Sequence, residues 1–352
     1  MTDEFRASEQ NDSCGMHHTL RAFPRQCEQA LAAGDGFSTK QLAQLEDINQ
    51  ILFCGLGGSA IGGNALQAVY NHPQIPITVH RDYHLPSSVD SKTLVITTSY
   101  SGNTEETLSC YRDATQTGCQ IIAVTGGGQL AQMAIKDGVS LIQTVPGLPP
   151  RCAVGFLALP VAVVLSKIFA VRTDFQELSD TLTTISESCA LETDRKHNPA
   201  KKLALELRGK TPHFYGTRGL TEVVARRAKT QLNENVKRFA SWGIFPEVCH
   251  NEIVPWSGDG SIDLSGFQPV FVRDKAEPRR IQQRIDITQH LLAEEGQGYS
   301  QIWTRGKEAL TRVFSGIYIA DWMSYYLAVL EGTDPTPVRF IDRLKDELKK
   351  TI

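Results

Sequence analysis

Two stretches of the chain carry the residue types that hold an anion. Gly55-Leu56-Gly57-Gly58-Ser59-Ala60 follows the apolar run ILFC and opens a helical pattern. Glycine lets backbone come close to a ligand, and a helix N-terminus presents N–H groups to negative charge. The second stretch, Thr97-Thr98-Ser99-Tyr100-Ser101-Gly102-Asn103-Thr104, again lies between an apolar run and a helical pattern. Its hydroxyls at Ser99, Ser101 and Thr104 can donate several hydrogen bonds to one phosphate. Alone, these residues also fit ordinary helix N-capping. Two such loops at the carboxyl ends of strands in one sheet favour a phosphate site. The first loop fits a dinucleotide fingerprint as well, GxGxxA from Gly55 through Gly57 to Ala60, with Asp82 as its acidic residue. That reading ranks second, because it leaves the hydroxyl loop without a role.

Further along, Arg151 in Pro149-Pro150-Arg151 offers a fixed positive charge for a phosphate or a developing oxyanion; its plain alternative is a cap or a surface ion pair. Glu234 lies amid polar residues in Lys229-Thr230-Gln231-Leu232-Asn233-Glu234-Asn235-Val236-Lys237, a setting that also suits a solvated helical carboxylate. His250 stands in Pro246-Glu247-Val248-Cys249-His250-Asn251-Glu252. The pairs His80/His84 and His17/His18 lack a convincing third ligand and read as surface histidines rather than a metal site.

These residues need a scaffold, and the pattern predicts an α/β one. Strand-like runs at 51–54, 77–80, 93–98, 119–124 and 140–145 alternate with helical stretches, including 103–117, in the rhythm of a doubly wound parallel sheet. Residues 152–208 read as helical. Strands resume at 213–216, 268–272 and 300–304, with helices near 220–238, 277–294 and 307–331 and a last one over roughly 337–350. The expected organisation is an N-terminal domain over 1–172 with a leading helical segment, a helical connection over 173–208, and a C-terminal domain over 209–352.

Composition narrows the function classes. The 352 residues carry 36 Lys+Arg against 39 Asp+Glu, a formal net charge of −3, and no basic run, which argues against a nucleic-acid partner. The apolar stretch from Cys152 to Leu165 is shorter than the roughly 18–20 residues of a membrane span and is expected as a buried helix. The N-terminus is acidic and polar, unlike a signal peptide. Eight cysteines without a CxxC pair read as reduced thiols, and a cytoplasmic location follows as an expectation.

In combination, GLGGSAIGG (55–63), TTSYSGNTEETL (97–108), PPRCAVGF (149–156), NENVK (233–237), PEVCHNEIVPW (246–256) and IADWMSYYLAVLEGTDPTPVRFIDRLK (319–345) resemble the bifunctional phosphoglucose/phosphomannose isomerase family, a branch of the sugar isomerase (SIS) fold group. The resemblance covers most of the chain. It implies two SIS-type, flavodoxin-like domains, each a parallel sheet flanked by helices. It implies that Ser59, Ser99, Ser101, Thr104 and the Gly57-Gly58 backbone hold the phosphate of a hexose 6-phosphate. Glu234 matches the family's base, His250 its ring-opening histidine, Arg151 its arginine and Lys345 its C-terminal lysine. Thr336 is a candidate for the threonine that favours epimer turnover. The implied partners are hexose 6-phosphates, with no metal or redox cofactor and no membrane, in a homodimer where His250 reaches the partner's site. The residue types suit aldose–ketose isomerisation, in which one carboxylate moves a proton between C1 and C2 through an enediolate. A non-catalytic sugar-phosphate-binding module and a nucleotide-dependent oxidoreductase are the competing readings.

Overall fold

The computed structural model describes residues 5, 11–38, 47–70, 72, 74–258, 260 and 263–351. Among these, residues of 22–184 and 305–315 form one compact unit; those up to 21, of 185–304 and from 316 onward form a second.

In the first unit five parallel strands, β1 (Gln50–Cys54), β2 (Ile77–His80), β3 (Thr93–Ser99), β4 (Gln120–Thr125) and β5 (Ser140–Gln143), lie in the order β2-β1-β3-β4-β5. Order reverses across β1 and β3, whose register pairs Cys54 with Thr97. The loops leaving these two neighbouring strands are the Gly55 loop and the Ser99 loop. In open parallel sheets a ligand crevice forms where strand order reverses.

After a short helix α1 (Met16–Arg21) of the second unit, the first unit's helices follow. They are α2 (Phe23–Asp35), α3 (Gly57–Val69), α4 (Glu105–Thr117), α5 (Gly128–Asp137), α6 (Val154–Ile168) and α7 (Phe175–Ser188), the last ending past the unit's boundary. One face of the sheet packs Leu52, Val95 and Ala123 against Leu108, Tyr111 and Leu130 of α4 and α5. Each of the leucines and Val95, fully buried, contributes about 1.5–3 kcal/mol. The apolar stretch beginning at Cys152 is the expected buried helix: every residue of Val154–Leu165 in α6 is buried, Pro160 included.

The second unit repeats the theme with four parallel strands, β6 (Thr211–Thr217), β7 (Ser241–Phe245), β8 (Phe267–Arg273) and β9 (Ser300–Trp303), in the order β7-β6-β8-β9. Its further helices are α8 (Pro199–Leu207), α9 (Leu220–Gln231), α10 (Arg279–Glu294), α11 (Ala309–Leu330) and α12 (Arg339–Leu348); the first residues of α11 count with the other unit. The sequence reading lacks β7. As an edge strand with Gly243 at its centre it is only half buried, so it shows no apolar run. The helix expected near 220–238 ends at Gln231 instead, and a π-helical turn, Leu232–Val236, continues it to Lys237.

Among the described residues one helix, α11, is long and apolar enough to cross a membrane, and its apolar window is entirely buried within the protein. The eight cysteines are free thiols, five of them buried.

Candidate active site

In the first unit the glycine loop and the hydroxyl loop adjoin. Thr98 Oγ1 donates to the Cys54 carbonyl (3.3 Å), and a side chain at Gly55 would meet Thr98 Oγ1 at 2.5 Å. Leu56, the N-cap of α3, is extended and its side chain caps nothing. The Gly57 and Gly58 N–H groups therefore have no acceptor among the described residues. Ser59, on the same first turn, is buried. The result is a helix N-terminus with open donors and a hydroxyl, the arrangement that receives an anion.

In the hydroxyl loop, buried Ser99 shares a hydrogen bond with Thr104 (Oγ to Oγ1, 2.9 Å) and its Oγ accepts from Gly102 N–H (3.1 Å). Thr104 is the N-cap of α4, yet its side chain does not cap, which sets plain N-capping aside for this hydroxyl. Ser101 is exposed at the rim, and its Oγ accepts from Asn103 N–H (3.3 Å). The turn itself is held from behind. Gly102 has φ +67° and sits so close to the next loop that a Cβ there would lie 1.8 Å from Gly127 O, so only glycine fits. Tyr100 OH donates to Val145 O (2.7 Å) and accepts from Leu148 N–H (3.1 Å). Burial raises its phenol above the ordinary value. Glu105, an acidic residue in the first turn of α4, accepts from Tyr83 OH (3.3 Å). Asp82 is exposed, and its Oδ1 accepts from Tyr83 N–H (2.7 Å).

Arg151 joins this set. It lies in the 3-10 turn Pro150–Cys152 and is only 4% exposed. A methyl group at Gly58 would lie 3.1 Å from Pro150 O and 3.5 Å from Arg151 Cα. The turn is anchored by Gln26, whose Nε2 donates to Cys152 O (3.0 Å). Thus Gly57, Gly58, Ser59, Ser99, Ser101, Thr104 and Arg151 share one end of the first unit. An arginine turn against a helix N-terminus with open N–H groups and hydroxyls suits a phosphate or a carbanion-derived oxyanion.

The second unit carries the remaining candidates. Glu234 sits on the π-turn, half buried, and lines a cavity of about 510 Å³ together with Asn233, Lys237, Thr333, Asp334 and the first residues of α12. π-turns recur at functional positions because they break the regular ladder and re-aim a side chain. Thr336 lies in the segment between Asp334 and Pro337 that borders this cavity, its N–H donating to Asp334 Oδ1 (3.0 Å). His250 ends the 3-10 turn Glu247–His250 and is exposed; Lys345 is exposed on α12. Neither lines the Glu234 cavity. Lys349 and Lys350 are engaged with Asp346 and Glu347 at 2.9 Å each, whereas Lys345 has no ion-pair partner among the described residues. Two residues after His250, Glu252 is held above the ordinary carboxyl value by burial and faces Gly243.

Sequence reasoning missed what holds Glu234 in place. Asn235, Lys237 and Ser324 look like ordinary polar helix residues, and only Asn-Glu-Asn breaking the apolar spacing of 220–236 hinted at a special turn.

Comparison with known proteins agrees with this architecture. Residues 196–348 match the family model of the bacterial phospho-glucose isomerase C-terminal SIS domain. A solved structure, a hypothetical protein from Thermus thermophilus, shares the fold with a TM-score of 0.77 at 16% identity, covering 99% of this chain and 93% of that one. The protein is therefore a SIS-fold protein with two parallel α/β units. The bifunctional phosphoglucose/phosphomannose isomerase of Caldicellulosiruptor bescii is 42% identical over 95% of this chain and 98% of its own. That of Aquifex aeolicus is 36% identical over 85% and 90%. The chain belongs to the bifunctional phosphoglucose/phosphomannose isomerase family.

Proposed function

We propose that this protein interconverts glucose 6-phosphate and fructose 6-phosphate, and mannose 6-phosphate with them. The observation that carries the reading is the anion cradle at the end of the β1–β3 crevice, in backbone contact with the buried Arg151. Kinship at 42% identity along nearly the whole chain supports the activity.

The phosphate sits on the Gly57 and Gly58 N–H groups and the hydroxyls of Ser59, Ser99, Ser101 and Thr104. His250 and Lys345 move protons to the ring oxygen and from the hydroxyl as the hexose opens. Glu234 takes the proton from C2 of the aldose and returns it to C1, giving the ketose. Arg151 stabilises the enediolate oxygen, charge that develops only on the way through. In reverse, the planar enediolate has lost the C2 stereocentre, so protonation on one face or the other yields glucose or mannose 6-phosphate. The reaction belongs to glycolysis and gluconeogenesis. The free thiols support a cytoplasmic location, and the exposed Phe340 and Leu344 of α12 support a homodimer.

Proton NMR of fructose 6-phosphate with the purified protein tests this. Resonances of both aldose phosphates are expected. Glucose 6-phosphate alone removes the second activity, and bound sugar phosphate without turnover makes the protein a binding module.

A further inference from the structure

The turn that carries Glu234 is held from two sides. On one side Asn235 is buried, and its Nδ2 donates to Ser324 Oγ (2.9 Å), which in turn donates to the Asp321 carbonyl (2.7 Å). On the other side stands Lys237. Its ammonium lies 2.8 Å from Glu234 O, 3.2 Å from Asn235 O, 2.7 Å from Asp334 O and 3.1 Å from Pro335 O. Three N–H donors are thus shared among four backbone carbonyls, two from each segment.

The backbone at Lys237 is unusual as well. Its φ is +58°, in the left-handed region, and it occupies the C-cap of the π-turn. Glycine or asparagine is the common residue for a left-handed helix end. A lysine there accepts an unfavourable backbone and supplies what glycine cannot, a cation on a long arm.

The two segments that Lys237 joins are opposite contributors to one cavity. Asn233 and Glu234 line it from the π-turn, Thr333 and Asp334 from the other segment, and Lys237 itself from between. We propose that Lys237 is a positioning residue that sets the separation between the Glu234 carboxylate and the 333–337 segment, and through it the ratio of the initial rates at which the two aldose epimers form. The proposal rests on the isomerase reading given above. All four contacts are to main-chain oxygens, so their loss moves backbone, not merely a side chain. Lys237 is exposed, so without the ammonium water hydrates the four carbonyls and the direct link between the two segments is lost. Proton delivery to C2 is sensitive to such shifts, since a misplacement of about 1 Å costs on the order of 100-fold in rate. The face of the enediolate that receives the proton decides which epimer forms.

The test compares wild type with Lys237→Gly, Lys237→Met and Lys237→Arg, using fructose 6-phosphate and an NMR readout of both aldose phosphates beside kcat and KM. Lys237→Gly suits the left-handed backbone, so it keeps the fold while removing the clamp. Both Gly and Met variants are expected to lose about 10–100-fold in kcat, with KM within about threefold. The ratio of initial glucose to mannose 6-phosphate formation, read well before equilibrium, is expected to change by at least about threefold, and Lys237→Arg, which still donates to carbonyls, to return it toward wild type. A folded Lys237→Gly enzyme with the wild-type ratio and kcat would overturn the proposal while leaving the isomerase reading intact. So would a tenfold rise in KM at unchanged ratio, which would mean that Lys237 touches substrate. A wild-type protein that makes neither aldose would remove both.

Discussion

Gly58 and Arg151 meet through their backbones: a methyl group at Gly58 would lie 3.5 Å from Arg151 Cα and 3.1 Å from the carbonyl oxygen of Pro150. The spacing of the α3 N-terminus from the arginine turn therefore depends on a missing side chain. In Gly58→Ala the turn must give by a few tenths of an ångström. Alanine's better helix propensity, about 1 kcal/mol, offsets much of the crowding. Stability is expected to change by less than about 1 kcal/mol, while kcat/KM falls about 10–100-fold. Steady-state kinetics beside a denaturant titration checks both halves; wild-type kinetics would mean that the spacing is unimportant.

The hydroxyl loop separates support from contact. Ser99 Oγ is buried and bonded to both Thr104 Oγ1 and Gly102 N–H, so Ser99→Ala leaves two polar groups short of a partner. A loss of about 1–3 kcal/mol of stability is expected along with weaker substrate binding. Ser101 is exposed, and Ser101→Ala is expected to raise KM while leaving the unfolding midpoint within about 0.5 kcal/mol of wild type. Equal effects of the two substitutions on stability would contradict this division.

Both loops were legible in the sequence because they use residues that ordinary elements avoid. Glycines and serines directly after apolar runs mark a place where backbone must be open. The central strands β1, β3, β4 and β8 were legible because, buried on both faces, they read as nearly unbroken apolar runs. β7 was not, since an edge strand centred on a glycine has neither a run nor a clean alternation. The motif singles out Glu234 as a candidate, but the π-turn beneath it is not legible there. That turn is made by Asn235 and Lys237 reaching Ser324 and Asp334, about 90 residues away in sequence, and no local pattern announces such contacts.

A buried ion pair braces the same region. Arg227 of α9 donates through Nε and Nη2 to the two carboxylate oxygens of Asp321 on α11, both at 2.8 Å, with each side chain almost wholly buried. Removing one partner leaves an uncompensated charge. Arg227→Met is expected to cost about 3–5 kcal/mol, and the double variant Arg227→Met/Asp321→Leu to regain much of it. Chemical denaturation of the three chains measures this; a double variant no better than the single one would show that the pair is not acting as a pair.

His213 in β6 introduces a pH dependence. Burial holds its imidazole below the ordinary value of about 6.5, and its ring meets the edge of Trp256 with centroids 5.7 Å apart. Unfolded chains take up this proton near pH 6.5, folded ones only at lower pH. The stability it contributes is thus complete above about pH 6.5 and declines as pH falls toward the depressed value, by at most about 1.4 kcal/mol per pH unit. Glu252 and Glu277, raised by burial, titrate in the opposite sense. The quantity to read is therefore the difference between wild type and His213→Gln. It is expected to narrow as pH drops below about 6.5, and parallel curves would refute the assignment.

The central claim is that Glu234 carries a proton between C1 and C2. The direct measurement is solvent deuterium incorporation during turnover of fructose 6-phosphate in D2O, by wild type and by Glu234→Gln. A carboxylate exchanging its proton with solvent places deuterium at C2 of the aldose product, and the glutamine variant is expected to lose at least about 1,000-fold in rate. Deuterium at C2 at any level shows exchange at the base, and a glutamine variant that still turns over at near wild-type rate would contradict the claim.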